Sequence, residues 1–272
     1  MEILNKLITI FIISMILLFF GGPVIFVIWT SFRDYGAILA GQFLGFHYSL
    51  VNYFNIFFNP GYAFIKGLMN SLLVTLFTTF LVLLISFPAA YALARFKFGG
   101  SLSSYILSIR LLPPIVFAIP LLILLYMLGL NDTIMGLVIV YLAFNMPLAI
   151  FLLRSFILEI PIEIEEAAII DGCSRYQVIS HVTFPLSKPG LVAAGILTFI
   201  MTWSEYLFAL LFTLKNAVTI NVVASQFVTQ HTIRYGEIAA AMVVGMFPSV
   251  IFLLLIQKHL VKGLTFGAVK GA

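Results

Sequence analysis

Residues 163–185 read EIEEAAIIDGCSRYQVISHVTFP, the longest polar stretch of a 272-residue chain that is 62% hydrophobic and 9% charged. Four of the ten acidic residues, Glu163, Glu165, Glu166 and Asp171, fall within nine positions here. The local chemistry predicts two short helices joined by a turn. Pro161 suits the first position of a helix, where its missing N–H is not needed, and the carboxylates that follow favour the positive end of the helix dipole. Gly172 suits the left-handed backbone of a C′ residue. Ser174 and Gln177 have the spacing of a capping box, so a second helix is expected to run to about Val182 and to stop at Pro185. Caps, turn and prolines together describe a stiff bracket. Ile164, Ala167, Ala168 and Asp171 fall on one helical face, where small residues let another protein approach closely. On the residues alone, the bracket serves equally as a docking knob or as a cap on the segments that flank it.

Those flanking segments are membrane spans. A soluble domain carries roughly 25% charged residues, so the low charge content calls for the bilayer as solvent. The net charge of +4 fits anionic lipid heads; a nucleic-acid reader would gather its Lys and Arg on one face. A span needs about 20 mostly apolar residues. Charge-free intervals of that length give six, over roughly 7–31, 68–94, 104–128, 133–155, 189–213 and 238–259, the fifth interrupted only by Glu205. All are expected to be helices, because lipid offers no partner to open backbone groups. The first has too long an apolar run for a signal peptide and no small-residue cleavage site; a kink is expected near Gly21, Gly22 and Pro23. Asp132 is expected to be the N-cap of span four.

Six spans put both termini on one side. With that side as the cytoplasm, Lys6, Arg95, Lys97, Arg154, Arg175, Lys188, Lys258, Lys262 and Lys270 lie inside, against Arg33, Lys66, Lys215 and Arg234 outside. This is the asymmetry of the positive-inside rule. Arg110, a turn or two into span three, is expected to snorkel to the inner headgroups. The bracket is then cytoplasmic, and the loops 32–66 and 214–237 are extracytoplasmic. The expected fold class is an all-α membrane protein of six transmembrane helices, organised as a single transmembrane domain over 1–272. The single cysteine, Cys173, excludes an internal disulfide framework. His47, His181, His231 and His259 lack metal spacing, and the common metalloprotease, hydrolase and P-loop signatures are missing. No catalytic residue and no metal site is expected.

The bracket resembles the EAA loop of ATP-binding-cassette importer permeases: EAA, three residues, Gly, nine residues, then Ile-x-Leu-Pro. Here Glu166-Ala167-Ala168 is followed at that spacing by Gly172 and by Val182-Thr183-Phe184-Pro185, with Val182 and Phe184 in place of Ile and Leu. Asp171 completes the common Asp-Gly form. Other stretches are similar to the carbohydrate-uptake branch of that family: GFHYSLVNYFNIFF from Gly45, NSLLVT from Asn70, AAYALARFKF from Ala89, and Trp203-Ser204-Glu205-Tyr206 in span five. The tail, KGLTFGAVKG from Lys262, resembles that of the maltose-type second permease subunit.

The resemblance implies a type I importer permease fold, with a permease core over 67–262, a coupling loop over 158–189 and a cytoplasmic tail over 260–272. It implies a second, homologous permease that completes the path, two ATP-binding-cassette ATPase subunits below, and an extracytoplasmic sugar-binding protein above. ATP and magnesium would belong to the ATPases, and this chain would carry no cofactor. Glu166, Ala167, Ala168, Asp171, Gly172 and Pro185 would form the coupling element, and Val269, Lys270 and Gly271 a second contact to the ATPases. The chain would be a subunit of an ATP-driven sugar importer in the cell membrane.

Polar residues within spans carry separate weight. An ionised acid at a helix centre costs roughly 2.5–3.5 kcal/mol on insertion scales, so such groups face a bundle interior or a cavity. Glu205, with Trp203 beside it, and Asn145 next to Pro147 are candidates for the substrate path; the alternative for each is packing glue between helices or repair of a broken backbone. Competing readings are a stand-alone secondary transporter or channel, an intramembrane enzyme, and a permease of the same family for a non-sugar solute. A secondary transporter would want several intramembrane ion-coupling residues, and Glu205 is a single acid.

Overall fold

A computed structural model describes residues 2–42, 47–96, 99–228 and 233–268, with side chains over 5–42, 47–96, 100–228 and 233–255. Among the described residues the regular structure is helical, apart from one isolated antiparallel bridge between Val228 and Ile233. In order, the helices are α1 (Glu2–Ser31), α2 (Tyr35–Leu39), α3 (Val51–Phe58), α4 (Phe64–Arg95), α5 (Gly99–Ser108), α6 (Ala118–Met127), α7 (Ile134–Leu158), α8 (Ile162–Ile170), α9 (Arg175–Val178), α10 (Phe184–Leu186), α11 (Lys188–Trp203), α12 (Leu207–Phe212), α13 (Ile220–Ser225) and α14 (Tyr235–Ala268).

Among the described residues, four helices are singly long and apolar enough to cross a bilayer: α1, α4, α7 and α14. The other two expected spans are broken. Span three is two half-length pieces, Gly100–Leu111 and Pro114–Met127, that meet at 86°. Pro113-Pro114 causes the break: the pre-proline residues are driven to extended backbone, Leu112 to ψ 133° and Pro113 to ψ 130°. Span five is α11 and α12, separated at Ser204–Tyr206. Pro23, Pro88, Pro147 and Pro248, by contrast, sit inside continuous helices.

The chain divides into two compact units, residues 1–67 with 220–247 and residues 68–219 with 248–272. In the first unit the tie is polar. Asn52 Nδ2 donates to the carbonyls of Ser31 (2.9 Å) and Arg33 (2.7 Å), just where the chain leaving α1 has carbonyls without helical donors. Gly236 packs on the Asn52 amide so closely that a Cβ there would lie 2.5 Å from Oδ1. Asn55 donates to Glu237 (3.3 Å), which also pairs with Arg234 (3.6 Å). The 32–66 loop is therefore built around α2 and α3.

The second unit is organised on α7, the most buried span. One face joins Tyr141, Leu137 and Val138 to Leu125, Phe208 and Phe212. The other joins Ile150, Leu153 and Ile157 to Val82, Phe87, Ala90 and Ala194. α11 reaches α7 through Gly190: a Cβ there would sit 2.7–2.9 Å from Phe156 side-chain atoms. Asn70 Nδ2 donates to the carbonyls of Asn216 and Val218, both at 2.9 Å.

Asp132 is not the N-cap of α7. Thr133 is, its hydroxyl accepting from Gly136 N at 3.0 Å. Asp132 instead takes a left-handed φ of 53° and turns its carboxylate onto the backbone N–H groups of Leu214, Lys215, Asn216 and Ala217, at 2.9–3.2 Å. Four converging N–H donors outweigh the single bond of a helix cap. Burial pushes this carboxyl up, but those backbone hydrogen bonds hold it below the usual carboxylate range.

Gly190→Val is expected to lower the thermal stability of the purified protein by about 1–3 kcal/mol through overpacking against Phe156. Differential scanning fluorimetry in detergent would measure it, with the double variant Gly190→Val, Phe156→Ala recovering part of the loss.

Candidate functional site

The bracket has two arms. α8 starts after Pro161, which is the N-cap and not the first helical residue, and α8 ends at Asp171. Gly172 follows with φ +91°, the left-handed turn its missing Cβ allows. The capping box forms: Gln177 N donates to Ser174 Oγ (3.3 Å), and Ser174 N to Gln177 Oε1 (2.8 Å). The second arm does not stop at Pro185. α9 passes into a π-turn over Ile179–Thr183 and then into α10, which tolerates Pro185 in its first turn. The sharp change of direction, 71°, comes between Leu186 and Lys188.

The buried centre of the bracket is Glu165, 4% exposed. Its Oε1 accepts from Arg95 Nε (3.1 Å), Arg95 Nη2 (2.7 Å) and Thr183 Oγ1 (2.9 Å), and its Oε2 from Tyr91 Oη (3.1 Å). Arg95 Nη2 also donates to the Ile160 carbonyl at 3.1 Å. One carboxylate thus joins the end of α4, the entry to α8 and the second arm. Burial alone pushes the Glu165 carboxyl up; the bonds from Arg95, Thr183 and Tyr91 and the Arg95 charge hold it below the usual range. By sequence Glu165 is one of three carboxylates at the helix dipole, with Glu163 and Glu166, and only the three-dimensional meeting with Arg95 singles it out.

Glu163, Glu166, Ala167 and Asp171 are exposed and Ala168 half-buried. Around them the bracket presents apolar side chains to its surroundings: Ile170 and Tyr176 are 85% and 80% exposed, with Ile164, Ile169 and Phe184 also uncovered. Exposed Ile and Tyr on a rigid knuckle outside the spans mark an interaction surface.

A second constellation lies within the spans. A cavity of about 230 Å³ is lined by Arg110, Leu112, Pro114, Tyr141, Phe144, Asn145, Met201, Glu205, Leu207 and Phe208. Asn145 and Glu205 thus share one site, together with Arg110. Arg110 does not snorkel to the headgroups: its Nη2 donates to Met201 Sδ at 2.8 Å, and its Nη1 is buried without a hydrogen-bond partner. Glu205 accepts from Tyr141 Oη (2.6 Å), Phe208 N (2.9 Å) and Ala209 N (3.2 Å), so it ties α7 to the start of α12. Asn145 Nδ2 donates to the Tyr141 carbonyl (2.8 Å) and Thr202 Oγ1 (3.4 Å). Trp203 is not on the lining; it is buried and stacked with Phe199, centroids 6.1 Å apart. Val269, Lys270 and Gly271 lie outside the described residues. Among the described residues no group of His, Cys, Asp and Glu could hold a metal ion.

Long apolar helices, two interrupted spans beside a polar cavity and a bracket between α7 and α11 fit a multi-pass membrane transport protein. Residues 82–266 match the family described as binding-protein-dependent transport system inner membrane component. The chain belongs to that family. It is 37% identical over 254 residues to the trehalose transport system permease protein SugB of Mycobacterium tuberculosis, covering 92% of each chain. It is 35% identical over 253 residues to the trehalose/maltose transport system permease protein MalG of Thermococcus litoralis, covering 92% of this chain and 91% of that one. In fold it matches a chain from a bacterial ABC transporter that imports the acidic polysaccharide alginate, with a TM-score of 0.78 at 22% identity, over 94% of this chain and 96% of that one.

Arg95→Met strands a buried carboxylate, a loss of about 3–5 kcal/mol. Hydrogen exchange is expected to rise across 160–186 and not across α7. A depressed native pKa makes the Glu165 contribution complete above the ordinary value of about 4.3 and loses it as pH falls through the lowered value. Thermal unfolding between pH 3 and 7 is therefore expected to show a smaller acid-side loss in Glu165→Gln than in wild type.

Proposed function

We propose that this chain is one permease subunit of an ATP-driven sugar importer of the cell membrane, with both termini and the 158–189 bracket in the cytoplasm. A second, homologous permease completes the path. Two ATP-binding-cassette ATPases receive the two brackets and hold the ATP and magnesium, and an extracytoplasmic binding protein delivers the sugar. The chain is a transport subunit and hydrolyses nothing itself. The relatives named for trehalose and maltose uptake support the substrate class, and the alginate importer supports the fold.

The observation that carries the reading is the bracket's construction. Its exposed face, Glu166, Ala167, Asp171, Ile170 and Tyr176, offers small and apolar contact area flanked by charge. Its buried face is bonded through Glu165 to Arg95 at the end of α4, and its second arm bends directly into α11. A displacement of the bracket by a partner therefore reaches two spans through hydrogen bonds and backbone, with no flexible linker between. The tail residues Val269, Lys270 and Gly271 are proposed as a second contact to the ATPases.

In a reconstituted complex, Glu166→Lys and Ile170→Asp are each expected to lower sugar transported per ATP at least about tenfold, a loss of about 1.4 kcal/mol in coupling. The six spans should remain inserted. Normal transport per ATP in both variants would contradict the reading.

A further inference from the structure

We infer that the intramembrane cavity of this subunit is a sugar subsite, in which Arg110 donates to an acceptor oxygen of a neutral, hydroxyl-rich ring. The inference rests on the reading of the chain as a sugar permease and adds a direct contact with the solute.

Three features place it there. Irregular backbone at membrane depth persists where it is buried in protein or lines a cavity, and both broken spans reach this one. Leu112 and Pro114 come from the break in span three, Glu205 and Leu207 from the break in span five, and Tyr141, Phe144 and Asn145 face them from unbroken α7. The hydrogen-bonding inventory is uneven. Glu205 is held by a hydroxyl and two backbone donors. Arg110 has only a thioether sulfur for Nη2 and nothing for the buried Nη1. A methionine sulfur is a weak acceptor, so the guanidinium fork keeps donor capacity toward an incoming oxygen. Phe144 and Phe208 supply apolar wall, in tilted contact with centroids 4.7 Å apart.

Charge and size select the ligand. Arg110 and Glu205 are one cation and one anion on the same lining, so a phosphate or uronate would gain the first and be repelled by the second. A neutral polyol meets both through hydroxyls. At about 230 Å³ the cavity falls below the roughly 300–1,000 Å³ of a site for a drug-sized molecule, which suits a single sugar ring and not a whole oligosaccharide.

The test is uptake by the full importer in proteoliposomes, with radiolabelled trehalose and maltose as probes and ATPase activity measured in parallel. Arg110→Met is expected to raise the KM for sugar at least about tenfold while basal ATPase activity and subunit assembly stay at wild-type level. Arg110→Lys keeps the charge but loses the fork and is expected to raise KM about threefold. An assembled Arg110→Met importer with unchanged KM overturns the inference and leaves the sugar-permease reading intact. Should Arg110→Met fail to assemble, Arg110→Lys decides: wild-type KM overturns the inference, and a raised KM with normal basal ATPase activity supports it. A wild-type importer that moves none of a panel of neutral mono- and disaccharides, trehalose and maltose included, overturns the reading itself, and the inference with it.

Discussion

A carboxylate taken out of water must be bonded on every side or it is lost to its proton. Glu165 meets that condition with four hydrogen bonds from three side chains, and the rest of the cytoplasmic architecture depends on it. The two arms of the bracket contribute Glu165 and Thr183; α4 contributes Arg95 and Tyr91. None of these can shift alone without leaving a charge or donor unsatisfied, so bracket and helix end move together or not at all. Arg154 adds a parallel tie, its Nε donating to the Leu93 carbonyl at 3.1 Å and so joining α7 to the same end of α4.

The opposite constraint acts within the spans. There the chain keeps two breaks that lipid would penalise, and it repairs the second locally. Glu205 satisfies the first N–H groups of α12, and Asn145 bonds a carbonyl of its own helix. Asp132 does the same for the turn over Leu214–Ala217. Glu205 and Asp132 read in the sequence as isolated polar anomalies, and each serves backbone N–H groups that lack a helical partner, while Asn145 bonds Thr202 Oγ1 and a carbonyl of its own continuous helix. What remains after the repairs is the unspent donor capacity of Arg110.

Much of this architecture is legible in the sequence. Charge-free intervals marked the long apolar helices α1, α4, α7 and α14, because the bilayer constrains both length and composition. Gly172 and the Ser174–Gln177 box determined the turn and second arm, because those effects are local. What failed was non-local or depended on geometry. Asp132 was read as a cap because the spacing to Ile134 fits one; nothing in the spacing reveals four N–H groups arriving from residues 214–217. Arg110, a turn or two into span three, has the position of a snorkelling residue, and nothing in the spacing reveals that Met201 and the cavity lining meet its guanidinium. Trp203 was grouped with Glu205 by adjacency, but at the end of α11 the two point to different neighbours. Pro185 was read as a stop, although a proline in a first turn costs little.

The central claim is that the bracket and the inner end of α4 form one rigid lever. Spin labels at Phe96 and Ile170, both exposed, would report their separation by pulsed electron resonance in the assembled importer. The account predicts one narrow distance distribution, unchanged between nucleotide-free and ATP-bound states, while the distance from Ile170 to its counterpart in the second permease changes. A Phe96–Ile170 distance that shifts or broadens with nucleotide would contradict it.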